Sequence, residues 1–221
     1  MELLAQFIDI VLHVDKYLAI LLAQYGAWIY AILFVIVFCE TGLVVTPFLP
    51  GDSLLFVAGA LAATSAHSGG GLDIGILIAV LLAAAILGDT TNYWIGRWAG
   101  KRILAWGETS RFFNRKAFDV AHAYYETHGG KTMLVARFMP FVRTFAPFVA
   151  GVANMSYPRY FVFDFCGAVL WVFSLCLAGY WFGNLPWVRA NLSLIVFATI
   201  GLSLAPLLWA WLRQRLAAKA T

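Results

Sequence analysis

Two arginines lie in an otherwise apolar stretch of the sequence, at Arg137 and Arg143, with Pro140 between them and Pro147 just beyond. A guanidinium stays charged at any cellular pH and is costly to bury, so it is expected to face a protein interior or a wet cavity. Its planar fork donates two parallel hydrogen bonds, a geometry that suits phosphate. These residue types predict an anion-binding cavity in which Arg137 and Arg143 hold the phosphate.

The spacing of the two arginines requires a break in the helix if both are to reach one cavity. On a continuous helix, side chains six residues apart would point about 240° from each other. Proline removes a backbone donor and interrupts a helix, so Pro140 would let both arginines turn to the same side. Helices that restart after Pro50 and after Pro147 would add backbone donors and positive dipole ends to the site.

Two carboxyls flank another break rich in glycine and proline, Glu40 before it and Asp52 after it. Burial favours the protonated form of a carboxyl, and a neighbouring arginine favours the ionised form. A carboxyl held between these influences can take up a proton on one side of a membrane and release it on the other. We therefore predict proton coupling at Glu40 and Asp52. The structural alternatives are ion pairing with the arginines and, for Asp52, capping of the following helix.

A polar stripe interrupts a further apolar segment at Asp89, Asn92, Tyr93 and Arg97. Asp89 and Tyr93 are four residues apart and so share one face of a helix. Hydrogen bonding between helices and contact with a substrate are both open to such a stripe. We assign Asp89, Tyr93 and Arg97 as supporting polar residues of the site.

The composition places these residues in a membrane protein. The chain has 221 residues, of which 62% are hydrophobic and only 12% are charged. Soluble domains carry about 25% charged residues. The predicted fold class is an all-α membrane protein with about four transmembrane helices of about 20 residues and two shorter re-entrant hairpins.

The apolar segments divide the chain into three parts. Residues 1–24 are predicted to form an amphipathic N-terminal helix that lies on the membrane or enters it. Residues 25–183 form a core with re-entrant hairpins at about 27–66 and 132–151, although a single kinked span is an alternative for the first. Full spans are predicted at Ile74–Trp98 and Tyr160–Phe182. Residues 184–221 supply a last span, Leu192–Leu212, and a basic tail.

The distribution of basic residues fixes the expected topology. Residues 97–131 contain seven Lys or Arg, and the C-terminal tail is basic as well, so both are predicted to be cytoplasmic. The two hairpins then enter from opposite faces, and each precedes a full span. This is the arrangement of an inverted-repeat transporter, whose binding site lies near the midplane of the bilayer.

Other functional classes lack support in the sequence. It contains no His-Glu-x-x-His, no Gly-x-Ser-x-Gly and no phosphate-binding glycine loop. No catalytic residue, metal or cofactor is therefore predicted. The formal net charge of +4 comes from loops and tail, where topology accounts for it, so no nucleic-acid partner is expected. Homo-oligomerisation is left open.

Several motifs resemble the DedA family, also called the SNARE-associated or VTT domain, across roughly residues 40–175. They occur in the family's order: Pro50-Gly-Asp52, Gly88-Asp-Thr-Thr-Asn-Tyr-Trp-Ile-Gly96, His128-Gly-Gly, Arg137-Phe-x-Pro-x-x-Arg143, Val149-Ala-Gly151 and Gly167-Ala-x-x-Trp171. One departure is Ala136, where members often have glycine.

The resemblance implies a bacterial inner-membrane protein that moves lipid across the bilayer and depends on the proton-motive force. Family members are implicated in recycling undecaprenyl phosphate, and their essential acids and arginines fall on Glu40, Asp52, Arg137 and Arg143. The expected function is thus a flippase for undecaprenyl phosphate or a similar anionic lipid. Alternatives are a phosphatidylethanolamine flippase or scramblase, an ion/proton antiporter, and a structural protein that affects the envelope indirectly.

Overall fold

The structure is a computed structural model that describes residues 17, 20–21, 24–43, 51–65, 72–105, 137, 140–183, 185 and 187. Within these ranges all regular structure is helical and no strand occurs, which confirms the all-α prediction for this part of the chain. Five helices are defined: α1 Trp28–Gly42, α2 Gly51–Ser65, α3 Ile74–Ala105, α4 Pro140–Val152 and α5 Tyr157–Phe182.

Two of these helices are long and apolar enough to cross a membrane, α3 over Ile74–Trp98 and α5 over Tyr157–Phe182. Both spans were predicted within three residues. Helices α1, α2 and α4 have 15, 15 and 13 residues, fewer than the roughly 20 that a span needs. The short arms expected on either side of the first break are therefore present as α1 and α2.

Helix α3 extends beyond its predicted end. The sequence places residues 97–131 in a polar loop, whereas the helix continues to Ala105. The segment after Trp98 contains no proline, and most of its residues are good helix formers, so nothing stops the helix where the apolar run ends. Most of the N-terminal helix 1–24, the tip of the first hairpin, the rest of the 97–131 segment and the last span with its tail lie outside the described residues.

Two of the short helices pack against the long helix of the other half of the core. The first half contains α1, α2 and α3, and the second half contains α4 and α5. Helix α2 packs along α5, α4 packs along α3, and α1 packs on α3 as well. Glycines permit the two crossed contacts because a Cβ on either partner would collide with the facing backbone. The pairs are Gly59 with Gly179 for α2 and α5, and Gly96 with Gly151 for α3 and α4. Small residues of this kind let membrane helices approach backbone to backbone.

Two apolar clusters form the core. The larger one is shared by α1, α2, α3 and α5, and includes Leu33, Leu55 and Leu81. The smaller one joins α3 and α4 to the start of α5 through Tyr93 and Tyr160, whose rings stack at 4.4 Å. Polar residues interrupt the apolar surface between the two clusters, and the candidate site lies there.

The backbone contact between α3 and α4 predicts a matched difference between two substitutions on α3. Gly96→Ala should lower the free energy of unfolding by about 1–3 kcal/mol, because the added Cβ collides with the carbonyl of Phe148. Gly75→Ala is the control, since its Cβ meets only the Asp73 carboxylate at 3.1 Å. Thermal unfolding in detergent, followed by circular dichroism, measures both. Equal midpoints for the two variants would contradict the close packing described here.

Candidate functional site

The two arginines flank the start of α4. This helix begins at Pro140, a position where a missing backbone donor costs nothing. Arg137 lies in the turn just before the helix, and Arg143 lies in its first turn. The prediction that a helix restarts after Pro147 is wrong, because Pro147 lies inside α4. Neighbouring helices support a proline-containing membrane helix, so α4 continues, and its N-terminus lies seven residues earlier than expected.

Both guanidinium groups lie against the same indole ring. The Arg143 guanidinium carbon is 4.9 Å from the ring centroid of Trp171, and that of Arg137 is 5.7 Å away. These distances are within the range of cation–π attraction. The break before Pro140 thus has the expected geometric effect, since both arginines line one cavity together with Trp171.

Arg143 contacts α1 and α2 through one carboxylate on each, and we call these three residues the Arg143 cluster. Its Nη1 donates a hydrogen bond to Asp52 Oδ1 at 2.5 Å, and its Nη2 donates to Glu40 Oε1. Glu40 is in the last turn of α1 and Asp52 in the first turn of α2, so the acids meet where the two helices face each other. Asp52 Oδ1 also accepts a hydrogen bond of 2.8 Å from Trp171 Nε1.

Arg137 has a second pair of carboxylates, and we call this group the Arg137 cluster. Its Nη2 donates to Asp89 Oδ2 at 2.6 Å, and its Nη1 donates to Asp164 Oδ1 at 2.7 Å. Asp89 lies midway along α3 and Asp164 lies in the first third of α5. On each helix the acid separates the two apolar clusters, since Asp89 falls between Ala85 and Tyr93.

The two clusters have the same charge composition. Each contains one arginine and two carboxylates, so the four acids exceed the two arginines by two negative charges when all are ionised. The groups are buried: the Asp164 side chain has no exposed surface, and Asp52, the most accessible acid, is 23% exposed. An uncompensated charge is expensive in such a place, so the excess favours the binding of protons or other cations.

One carboxylate oxygen in the Arg137 cluster is buried without a partner. Among the described residues, Asp164 Oδ2 has no hydrogen bond, and neither has the nearby hydroxyl of Tyr160 on the same helix. Glu40 Oε2 likewise has no partner in a hydrogen bond, and its carboxyl packs against the backbone of Gly51. Buried polar atoms in native proteins are nearly always paired. The binding of one proton to such a carboxyl is the smallest change that would alter the hydrogen bonding of these oxygens.

The cavity itself is small. It has room for about one water molecule. It is lined by acidic, basic and hydroxyl side chains together with Ala146, Pro147 and Trp171. A phosphate group requires the clusters to separate before it can enter.

The supporting polar residues divide into two groups. Asp89 is part of the Arg137 cluster, whereas Tyr93 and Arg97 lie away from the cavity. The Tyr93 hydroxyl donates to the Met155 carbonyl at 2.5 Å and accepts from Arg97 Nη1 at 2.7 Å. These two residues tie α3 to the connection between α4 and α5, which is a structural role. Asn92 belongs nearer the site, since its amide donates to the carbonyls of Thr41 and Thr144.

Two contributors were not assigned from the sequence. The sequence-based prediction assigns no role to Asp164, and it includes Trp171 only as part of a family motif. An ionisable residue within a membrane helix is by default a functional candidate, and that signal was available for Asp164. No comparable signal identifies Trp171 as the ring beneath two arginines.

The described residues contain no group of three or more His, Cys, Asp or Glu side chains placed to hold a metal ion. Each carboxylate of the two clusters points toward an arginine. The groups suited to bind a ligand are therefore the guanidinium groups, if the ligand takes the place of a carboxylate. The arrangement can exchange one anionic partner of an arginine for another, and it can take up protons as it does so.

Comparison with known proteins gives a consistent set of relatives. The VTT domain family matches residues 49–181. Protein DedA of Escherichia coli is 51% identical over 206 residues, covering 93% of this chain and 92% of that protein. An uncharacterized membrane protein of Mycobacterium tuberculosis is 42% identical over 184 residues, covering 83% and 79%.

Inner membrane protein YghB of Escherichia coli is 36% identical over 163 residues, which cover 74% of this chain and 72% of that protein. No solved structure matches the chain. The family match extends over more than half of the sequence, and the helices that carry the arginine clusters fall largely within it. The chain belongs to the DedA family of VTT-domain membrane proteins.

Proposed function

We propose that this protein is a proton-coupled translocase for a lipid with an anionic phosphate headgroup, such as undecaprenyl phosphate. The observation that carries the proposal is the pair of arginines on one indole ring, each held between two carboxylates in a small buried cavity. Arg137 and Arg143 would hold the phosphate, and Glu40 and Asp52 would exchange the protons. A permanently charged fork that is already matched to carboxylates is equally matched to phosphate oxygens.

Competition for the arginines links the proton to the lipid in this proposal. A carboxylate and a phosphate both accept paired hydrogen bonds from a guanidinium, so they exclude each other at the same donors. Protonation of Asp52 removes its charge and weakens its hold on Arg143 Nη1. Because Asp52 is the most exposed of the four acids, it is the natural site for exchange with water. The freed guanidinium then donates hydrogen bonds to the phosphate oxygens as the cavity opens.

The topology of the proposal follows the charge pattern and the crossed packing. The hairpins at about 27–66 and 132–151 enter from opposite faces, with the 97–131 segment and the C-terminus in the cytoplasm of a bacterial inner membrane. Helices α2 and α4 take equivalent positions, since each packs along the span of the other half. Large apolar side chains on the outer faces of α3 and α5, including Trp94, Leu170 and Phe173, would contact lipid.

An ion/proton antiporter is the second candidate. The complete pairing of both arginines with carboxylates favours it, because purely structural arginines would be paired in the same way. The two functions differ in whether lipid must move when protons do.

Lipid movement can be measured in proteoliposomes that contain the purified protein. A fluorescent polyprenyl phosphate, a fluorescent phosphatidylethanolamine and a matched neutral polyprenol are each followed across the bilayer, with and without a pH gradient. We expect the polyprenyl phosphate to move, faster when the lipid-loading side is the more acidic, and the polyprenol not to move. Proton flux driven by a cation gradient without lipid movement would support the antiporter instead, and immobility of every phosphate-bearing lipid would refute the proposal.

Replacement of Arg143 by lysine tests the role of the guanidinium fork. Arg143→Lys retains the positive charge but loses the paired donors that reach Glu40 and Asp52. We expect the rate of lipid movement to fall at least about tenfold, equivalent to about 1.4 kcal/mol. Arg159→Lys is the control, because Arg159 is exposed in the first turn of α5 and should transport normally. Normal transport by Arg143→Lys would rule out paired phosphate binding at this residue.

A further inference from the structure

We infer that Asp164 is a further proton carrier of the transport cycle, in addition to the acids of the Arg143 cluster, and that the Arg137 cluster takes up its own proton when phosphate binds. This inference rests on the proposed function and extends it from one arginine to both. It predicts that one lipid phosphate is accompanied by about two protons, one on each cluster. Asp164 would then have the role in the Arg137 cluster that Asp52 has in the Arg143 cluster.

The positions of the acids in the packing of the helices support this equivalence. Helices α1 and α4 pack most extensively on α3, and α2 packs most extensively on α5, so the largest contacts define two groups of helices, which also touch through α3 and α5. Each arginine belongs to the first group, through α4 or the turn before it. Each has one carboxylate partner within its own group, Glu40 or Asp89. The other partner, Asp52 or Asp164, belongs to the second group.

The ion pairs between the groups are therefore the ones that must break when the cavity opens. Separation of the two groups pulls Asp52 away from Arg143 and Asp164 away from Arg137, while the pairs with Glu40 and Asp89 can remain. A carboxylate that loses its arginine in a buried place becomes neutral by binding a proton, because an isolated charge is too costly there. Asp164 Oδ2, which has no hydrogen-bond partner among the described residues, is available for that proton.

Charge conservation gives the same count. A phosphate monoester has a second pKa of about 6 and is mainly a dianion at about pH 8. Its entry adds two negative charges to a buried site that already has an excess of two. Uptake of two protons leaves the net charge of the site unchanged, whereas one proton leaves an additional buried charge. Two carboxylates, one for each arginine, supply the two positions.

Among the described residues, the surroundings of Asp164 contain no other group that would take the proton as readily. The charged and titratable groups that face it are few, and most already have partners: Arg137, Asp89, Tyr160 and, in the other cluster, Glu40, Asp52 and Arg143. The Tyr160 hydroxyl is already protonated, and both arginines are charged throughout. Asp89 keeps its arginine when the helix groups separate.

The experiment measures the protons taken up when a phosphate lipid binds. Farnesyl phosphate is titrated into the full-length protein in detergent at about pH 8, by calorimetry in buffers of different ionisation enthalpy. We expect about two protons for each bound phosphate in the wild type and about one in Asp164→Asn, which retains an oxygen for Arg137. Asp73→Asn is the control, because Asp73 is exposed and only caps the start of α3. It should bind two.

Transport provides an independent measurement of the same number. The logarithm of the rate of polyprenyl phosphate movement, plotted against pH on the loading side, should have half the slope in Asp164→Asn. Asp164→Glu restores a carboxyl and should restore the second proton. A slower rate with the wild-type slope and the wild-type proton count would show that Asp164 only positions Arg137, which overturns the inference. Failure of the wild type to bind or move any phosphate lipid would instead refute the proposed function.

Discussion

The pairing of each arginine with two carboxylates is the interaction on which the rest of the core depends. Five separate helices and one turn supply the six charged groups, so the clusters connect parts of the chain that are otherwise joined by apolar packing. Removal of either arginine would leave its two carboxylates buried without compensation, which costs several kcal/mol. This constraint explains why α1, α2 and α4 are short. They end or begin where the charged groups must meet, within the span defined by α3 and α5.

The same constraint divides the apolar core into two clusters, one on either side of the charged groups. Apolar side chains fill one end of the α3–α5 contact, and stacked aromatic rings fill the other. The polar layer between them is narrow, and the glycine contacts bring the helix backbones close enough to keep it so. A site built in this way is nearly dry when closed. The electrostatic interactions between its charged groups are then strong, so a change in the charge of one group alters the energies of the others.

Much of this arrangement could be predicted from the sequence, and the exceptions have clear causes. Composition and apolar run lengths predicted the two long apolar helices α3 and α5, and the charged residues in apolar segments predicted that Arg143 lies near Glu40 and Asp52. The partners of Arg137 could not be predicted, because a pairing across 27 or 48 residues depends on how the helices pack.

The incorrect prediction of the N-terminus of α4 has a local cause. Both Pro140 and Pro147 are potential helix starts by residue type, and only support from neighbouring helices decides which of them a helix can contain. The extension of α3 to Ala105 similarly reflects helix propensity continuing after apolarity ends.

If the protein has the proposed function, the single indole beneath both guanidinium groups has a consequence for headgroup selection. Trp171 holds two positive groups beside one rigid surface, so a ligand that satisfies both must present its negative charge as one compact group. A terminal phosphate monoester meets that requirement with a double charge. A zwitterionic phosphodiester presents a single charge and a bulky ammonium arm, which the arginines repel. Such a site would sort lipids by the valence of the headgroup, and the length of the hydrocarbon tail would matter little.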